Sequence, residues 1–280
     1  MQRQHTLAGE ARFVGVGLHG GRVVAMRVAP APADAGVVFV RTDLDSAEIP
    51  ARSSALGSVR RATTLRCGEA SVATVEHLLA ALFALGIDNA RVELDGPEVP
   101  AADGSAAPFV ALLERAGRVA QDAERVRLRL ARPIEIEDGT RRIRARPADG
   151  LHVRYAIDFP HPAIGRQELA LGPIDAELFA RALAPARTFG FVEEVEALRS
   201  AGLALGGDLA NAVVFDAKGV ITPGGLRVPD EPVRHKALDL VGDLALLGRP
   251  LDAAIEVERG GHALHQRLVA AIGAQTDASG

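Results

Sequence analysis

The 280-residue chain is 48% hydrophobic and 24% charged, with a formal net charge of −4. It has no Trp, one Tyr and no basic stripe, which excludes the aromatic platforms and positive surfaces that bind nucleic acid. Cys67 is the only cysteine, so there is no intrachain disulfide and no cysteine-built zinc site; any metal falls to His and carboxylates, and a reducing cytoplasm suits the composition.

The first 60 residues read as strands and turns: GLHGGRVVAMRVAPA alternates and ends in Pro, and AGVVFVRTDL follows as a second strand. Residues Thr74 to Leu85 have the apolar spacing of a helix, with Gly86 just past its end. ARVELDG is a strand, and PFVALLERAG a second helix stopped by Gly117. LLAALFALG is too short to cross a bilayer, and MQRQHTLAGE lacks the apolar core of a secretion signal.

Near residue 122 the pattern restarts. VRLRLARPIEIEDGTRRIRARP reads as a hairpin around Asp138-Gly139, and LHVRYAIDF as a further strand. A helix, a strand and two more helices follow, the last being HALHQRLVAAIGA before a polar tail, QTDASG, so that a fused dehydratase domain is not expected. Each half runs strands first and helices later, an α+β pattern. The expected division is a domain at 1–122 and another at 123–280, since single cores rarely exceed about 250 residues. RTFGFVEEVEALRSAGLALGGDLANAVVFD looks like a β-α-β insertion in the second half.

In VRHKALDLVGD, His235, Asp239 and Asp243 recur at steps of four and share one face of an otherwise apolar helix. His235 and Asp239 could reach one metal ion, or could form a helix-surface ion pair worth a few tenths of a kcal/mol. Glu76-His77 in TVEHLLAAL reads either as a polar rim or as a base beside a ligand, the arrangement of zinc peptidases. Asp243 reads as a solvated residue or as a carboxylate orienting a ring nitrogen. His262, after two glycines in ERGGHALHQ, is a loop His or a general acid, and His265 is expected to be an exposed helix residue.

Six segments turn these alternatives in one direction: GVGLHGG, TVEHLLAALFALGIDNARVELDGPEVPAADGSAAPFV, ARTFGF, GLALGGDLANAVVFD, VRHKALDLVGDLALLG and GGHALHQRLV. In this order, and over nearly the whole length, they resemble the UDP-3-O-acyl-N-acetylglucosamine deacetylases, zinc amidases of lipid A biosynthesis in Gram-negative bacteria. The resemblance implies two similar α+β domains, each with helices on small sheets and sandwiched helix to helix. It puts the zinc ligands on His77, His235 and Asp239, the general base on Glu76, the general acid on His262, its orienting carboxylate on Asp243 and the oxyanion donor on Thr188. Lys236 and Phe159 fall on the sugar-nucleotide side. The insertion, with Phe189, Val192, Val195, Gly207, Leu209 and Val214, would wall a passage for the acyl chain, its helix standing off the body.

The implied cofactor is Zn2+, although Fe2+ would accept the same donors. The implied partner is a UDP-linked acylated amino sugar, and the implied enzyme a cytoplasmic monomer without a membrane span. Glu76 alone shuttling both protons is an alternative scheme. A zinc hydrolase of another class, or a binding protein that kept the fold, are rival readings. His19 is expected at the substrate mouth or in a plain hairpin turn, Thr63 near the active-site loop, Asp103 in a turn before a helix, and Cys67 as a partly buried thiol.

Overall fold

The computed structural model describes residues 2–277. Two sheets dominate it. The first has five strands in the order Ala11–Val16, Val23–Pro30, Ala90–Leu94, Val37–Arg41, Ala47–Pro50. The second follows the order Ile134–Asp138, Arg141–Pro147, Leu251–Glu258, Leu151–Phe159, Gly165–Leu171, with Leu128–Arg129 added beside Leu251–Glu258. The topology is the same in both. Two hairpins flank a central strand that comes last in the chain, antiparallel to one neighbour and parallel to the other. The repeated architecture expected from the restart near residue 122 is therefore present, without a sequence repeat to announce it.

Among the described residues six α-helices accompany the sheets: α1 (Glu76–Ala84), α2 (Ala107–Ala116), α3 (Ala176–Ala182), α4 (Val192–Ser200), α5 (Glu231–Leu244) and α6 (His262–Asp277). In each half the last α-helix before the central strand (α1, α5) and the one after it (α2, α6) form a matching pair. Helix α2 lies on the first sheet, α5 and α6 on the second, and α1 packs against both α2 and α5. The helices thus meet between the sheets: the pattern predicts the α+β class, and the resemblance implies this sandwich. Buried alternate residues of Leu151–Phe159 (Leu151, Val153, Tyr155 and Ile157) face this interior.

Phe189–Phe191 and Val213–Phe215 pair in parallel, with α4 between them, so the insertion is a β-α-β unit. No residue of α4 is buried. Its helix stands off the body, as expected, and is held at its base by packed rings of Phe159, Phe189, Phe191 and Phe215.

Three boundaries differ from the sequence reading. Helix α1 starts at Glu76 rather than Thr74, because Thr74 takes φ +58°, a left-handed conformation costly for a β-branched residue. Its hydroxyl donates to buried Glu98 (2.8 Å), which holds it there. The hairpin turns on Gly139-Thr140, since Asp138 already pairs with Arg141; Gly139, at φ +60°, supplies the positive angle. Helix α6 continues to Asp277, into the expected polar tail, whose last three residues lie outside the described ones.

Candidate active site

The site forms where α1 meets α5. Gly242 makes the approach close: a Cβ there would lie 2.1 Å from the Glu76 carbonyl oxygen. The contact sets Glu76 and His77 on α1 opposite His235, Asp239 and Asp243 on α5. His77 Nε2 lies 3.6 Å and His235 Nε2 3.4 Å from Asp239 Oδ1. His235 Nδ1 donates to the Ala186 carbonyl (3.1 Å), and burial pushes the ring down to about 3, so it is neutral with its Nε2 lone pair aimed at this point. Burial alone would raise Asp239, but the charge of Lys236 beside it holds it well below the usual carboxylate range. Its Oδ1 is buried with no hydrogen-bond partner among the described residues. A buried carboxylate oxygen facing two ring nitrogens, with nothing bonded to it, is costly unless a cation sits among them. The three donors could hold a metal ion, and two His with one carboxylate suit zinc or iron(II).

Glu76 is buried beside this cluster. Burial raises its pKa, and its Oε2 accepts from the Thr63 amide (3.0 Å). His262, the first residue of α6, brings Nε2 to 3.9 Å from both Glu76 Oε1 and Asp239 Oδ2. Its Nδ1 donates to Asp243 Oδ2 (2.8 Å). Burial opposes a charged ring, but Asp243, Asp239 and Glu76 together outweigh it and raise His262 to about 9. Near neutral pH the ring is an imidazolium, able to donate from Nε2. Asp243, fully buried, would be raised by burial, yet His262 and His265 keep it well below the usual range.

Two cavities adjoin the centre. One, of about 570 Å³, is lined by Phe159, Lys236 and His262 together with Arg61, Arg141 and Arg259, whose charges outnumber those of Asp138 and Asp158 in the same wall. Lys236 donates to Asp239 Oδ2 (3.0 Å) and lies 5.5 Å from the Phe189 ring centre. The other, of about 670 Å³, runs under the insertion and is lined by Thr188, Phe189, Val192, Val195, Gly207, Leu209 and Val214, with His19 at its wall. Each residue named above for the acyl passage lines this cavity. Arg61 borders both cavities and pairs with Glu194 of α4 (3.1 Å). Thr188 is half-buried and pinned by its backbone to Gly104 and Val213 (2.8 Å each). Beside it the buried Arg187–Glu231 pair, closed by bonds of 2.8 and 3.0 Å, fastens this segment to the start of α5 and so sets the Ala186 carbonyl that orients His235.

A profile of the family described as "LpxC: UDP-3-O-acyl N-acetylglycosamine deacetylase" matches residues 4–274. The chain belongs to this family. Among curated relatives, proteins named UDP-3-O-acyl-N-acetylglucosamine deacetylase are 49% identical in Anaeromyxobacter sp. (strain Fw109-5), over 95% of this chain and 87% of the relative, and 48% identical in Phenylobacterium zucineum (strain HLK1), over 98% and 94%. A third, from Thermosynechococcus vestitus, is 50% identical over 97% of this chain and 94% of its own. Of the residues singled out in the sequence, Glu76, His77, His235, Lys236, Asp239, Asp243 and His262 gather around one centre, and Thr188 lines the adjoining apolar cavity.

Sequence reading misplaced two residues of this deacetylase and missed others. His265 is fully buried rather than exposed, because α6 turns that face onto Asp243. Cys67 is exposed, not partly buried, at the end of a short three-stranded sheet. Arg61, Arg141 and Arg259 gave no signal, since isolated arginines in turns and at strand ends usually mean solvated surface. Thr63 is placed against Glu76, Asp243 and His262, and Asp103 occupies its expected turn, accepting from Ser105.

Proposed function

We propose that this chain hydrolyses the N-acetyl group of a UDP-3-O-acyl-N-acetylglucosamine, releasing acetate and a free amino sugar, in lipid A biosynthesis. The observation that carries the reading is the orphaned Asp239 oxygen facing two ring nitrogens, with a buried carboxylate and an imidazolium beside it. His77, His235 and Asp239 would hold zinc, which would supply Lewis-acid polarisation of a bound carbonyl and bring the pKa of a bound water down toward about 7. Iron(II) would occupy the same donors. Glu76 takes the proton of the attacking water, a task that suits a carboxyl raised by burial. The Thr188 hydroxyl donates to the oxyanion that develops on the amide. His262, held charged by Asp243, gives its Nε2 proton to the departing nitrogen, which leaves poorly unless protonated.

The two cavities divide the substrate by chemistry. The cationic cavity suits a nucleoside diphosphate: a flat base against Phe159, and phosphates among Lys236, Arg61, Arg141 and Arg259. The apolar cavity suits the acyl chain. We place the enzyme in the cytoplasm as a monomer of two domains, 1–122 and 123–280; among the described residues no helix is long and apolar enough to cross a membrane.

Purified protein incubated with UDP-3-O-acyl-N-acetylglucosamine should release acetate and a primary amine in equal amounts. A chelator should stop turnover and zinc restore it, and a substrate lacking the UDP group should react poorly. Turnover untouched by the chelator, in protein holding no stoichiometric transition metal, would overturn the proposal.

A further inference from the structure

His265 lies three residues beyond His262 on α6 and is completely buried, yet the steps above do not use it. Its Nδ1 is 2.8 Å from Asp243 Oδ2, the same oxygen that receives His262 Nδ1 at 2.8 Å. The other oxygen, Oδ1, accepts from the Thr63 hydroxyl (2.5 Å) and the Gln266 amide (2.8 Å). A carboxylate only accepts, so both histidines carry a proton on Nδ1, and four donors fill the carboxylate. On the far side of His265, Nε2 lies 2.9 Å from the Tyr155 hydroxyl, itself buried on the strand beside the central one of the second sheet. Burial lowers His265, and Asp243 offers one negative charge to two rings, of which His262 takes it. His265 is therefore neutral, and its free Nε2 lone pair accepts the phenol proton.

Gly260 explains part of the GGH motif in these terms. A Cβ at Gly260 would lie 2.3 Å from a Val257 methyl, 2.8 Å from the Tyr155 oxygen and 3.3 Å from His265 Nε2. The missing side chain leaves room for the Tyr155–His265 contact.

We propose that Tyr155 and His265 are positioning residues for the proton donor. Tyr155 fixes the His265 proton on Nδ1, His265 fixes the plane of the Asp243 carboxylate, and that carboxylate holds the His262 ring with Nε2 toward Glu76 and the metal ligands. A carboxylate held by His262 alone could rotate with it; one held by four donors cannot. The proposal rests on the reading of His262 as proton donor.

The test uses zinc-loaded enzyme. His265→Phe should lower kcat by about 10–100-fold, the usual scale for losing an orienting partner, with KM and zinc content unchanged. His265→Asn, which keeps an N–H at the Nδ1 position, should recover most of the rate, and Tyr155→Phe should fall between. In wild-type protein labelled with nitrogen-15 at histidine, NMR should find His265 as the neutral Nδ1–H tautomer. That measurement decides the matter even if His265→Phe fails to fold. His265 found as the Nε2–H tautomer, or a kcat within about twofold of wild type in both His265→Phe and Tyr155→Phe, overturns the proposal. In that second case a His262→Ala enzyme that is still slow leaves the proton-donor reading standing. A His262→Ala enzyme at full rate removes that reading and the positioning role with it.

Discussion

Gly242→Ala probes the helix contact on which the centre depends. In a helix interior, alanine is favoured over glycine by about 0.8–1.0 kcal/mol. Here the added methyl would lie 2.1 Å from the Glu76 carbonyl oxygen, 2.7 Å from its carbon and 2.9 Å from its Cα. These are backbone atoms and cannot swing aside. Restoring ordinary contact at 3.4 Å requires α5 and α1 to part by about 1.3 Å. Overpacking of this kind costs up to about 3 kcal/mol, which exceeds the propensity gain and leaves a net loss of about 2 kcal/mol, or roughly 4–8 °C in Tm. The larger effect is on chemistry. His77 rides on α1, while His235 and Asp239 ride on α5, so parting the helices opens the ligand set, and a misplacement of about 1 Å can cost ~100-fold in rate. Calorimetry, metal analysis and kcat measured on one preparation provide the assay. Gly273→Ala on α6, where a Cβ meets nothing within 4 Å, is the control and should gain about 0.5–1 kcal/mol. If Gly242→Ala matched the control in stability and wild type in zinc content and rate, the helix-contact reasoning would be refuted.

Glu76→Gln should lower kcat by about 10²–10⁴-fold while keeping zinc, read from steady-state kinetics beside metal analysis. The rate should fall as pH rises through about 9, where His262 loses its proton, and Asp243→Asn should bring that limb down toward 6.5 by removing the main charge that raises it. The same raised pKa stabilises the fold fully below about pH 6.5 and is lost as pH rises through about 9, so melting curves should drop across that window. Glu231 behaves oppositely. Burial would raise it, but Arg187 holds it below its ordinary 4.5, so its contribution is present above that pH and lost as pH falls further; Glu231→Gln should flatten the acid limb of stability and cost about 3–5 kcal/mol by leaving Arg187 buried without its counter-charge. Ala212→Phe, which narrows the apolar cavity, should raise KM for long-acyl substrates and spare short ones; equal KM changes for both would show that the acyl chain lies elsewhere.

What the sequence determined alone was local. Apolar spacing marked α1, α2 and α5, Gly117 ended a helix, Asp138-Gly139 announced a hairpin to within one residue, and the i, i+4 steps put His235, Asp239 and Asp243 on one face. Such features depend on neighbours within a turn or two, so a linear pattern carries them. The six matching segments carried the proposed ligand set and the proposed base as well, because their residues could be transferred position by position. Tertiary structure decided the rest. Whether Glu76 is a polar rim or a buried base depends on α5 closing over it, which Gly242 permits across some 160 positions. His265 has the spacing of an exposed residue and becomes buried only because Asp243 lies opposite. The cationic cavity gathers Arg61, Arg141 and Arg259 from two bends and a strand end far apart in the chain. Charge and burial at a site are sums over everything packed around it, and no stretch of sequence contains that sum.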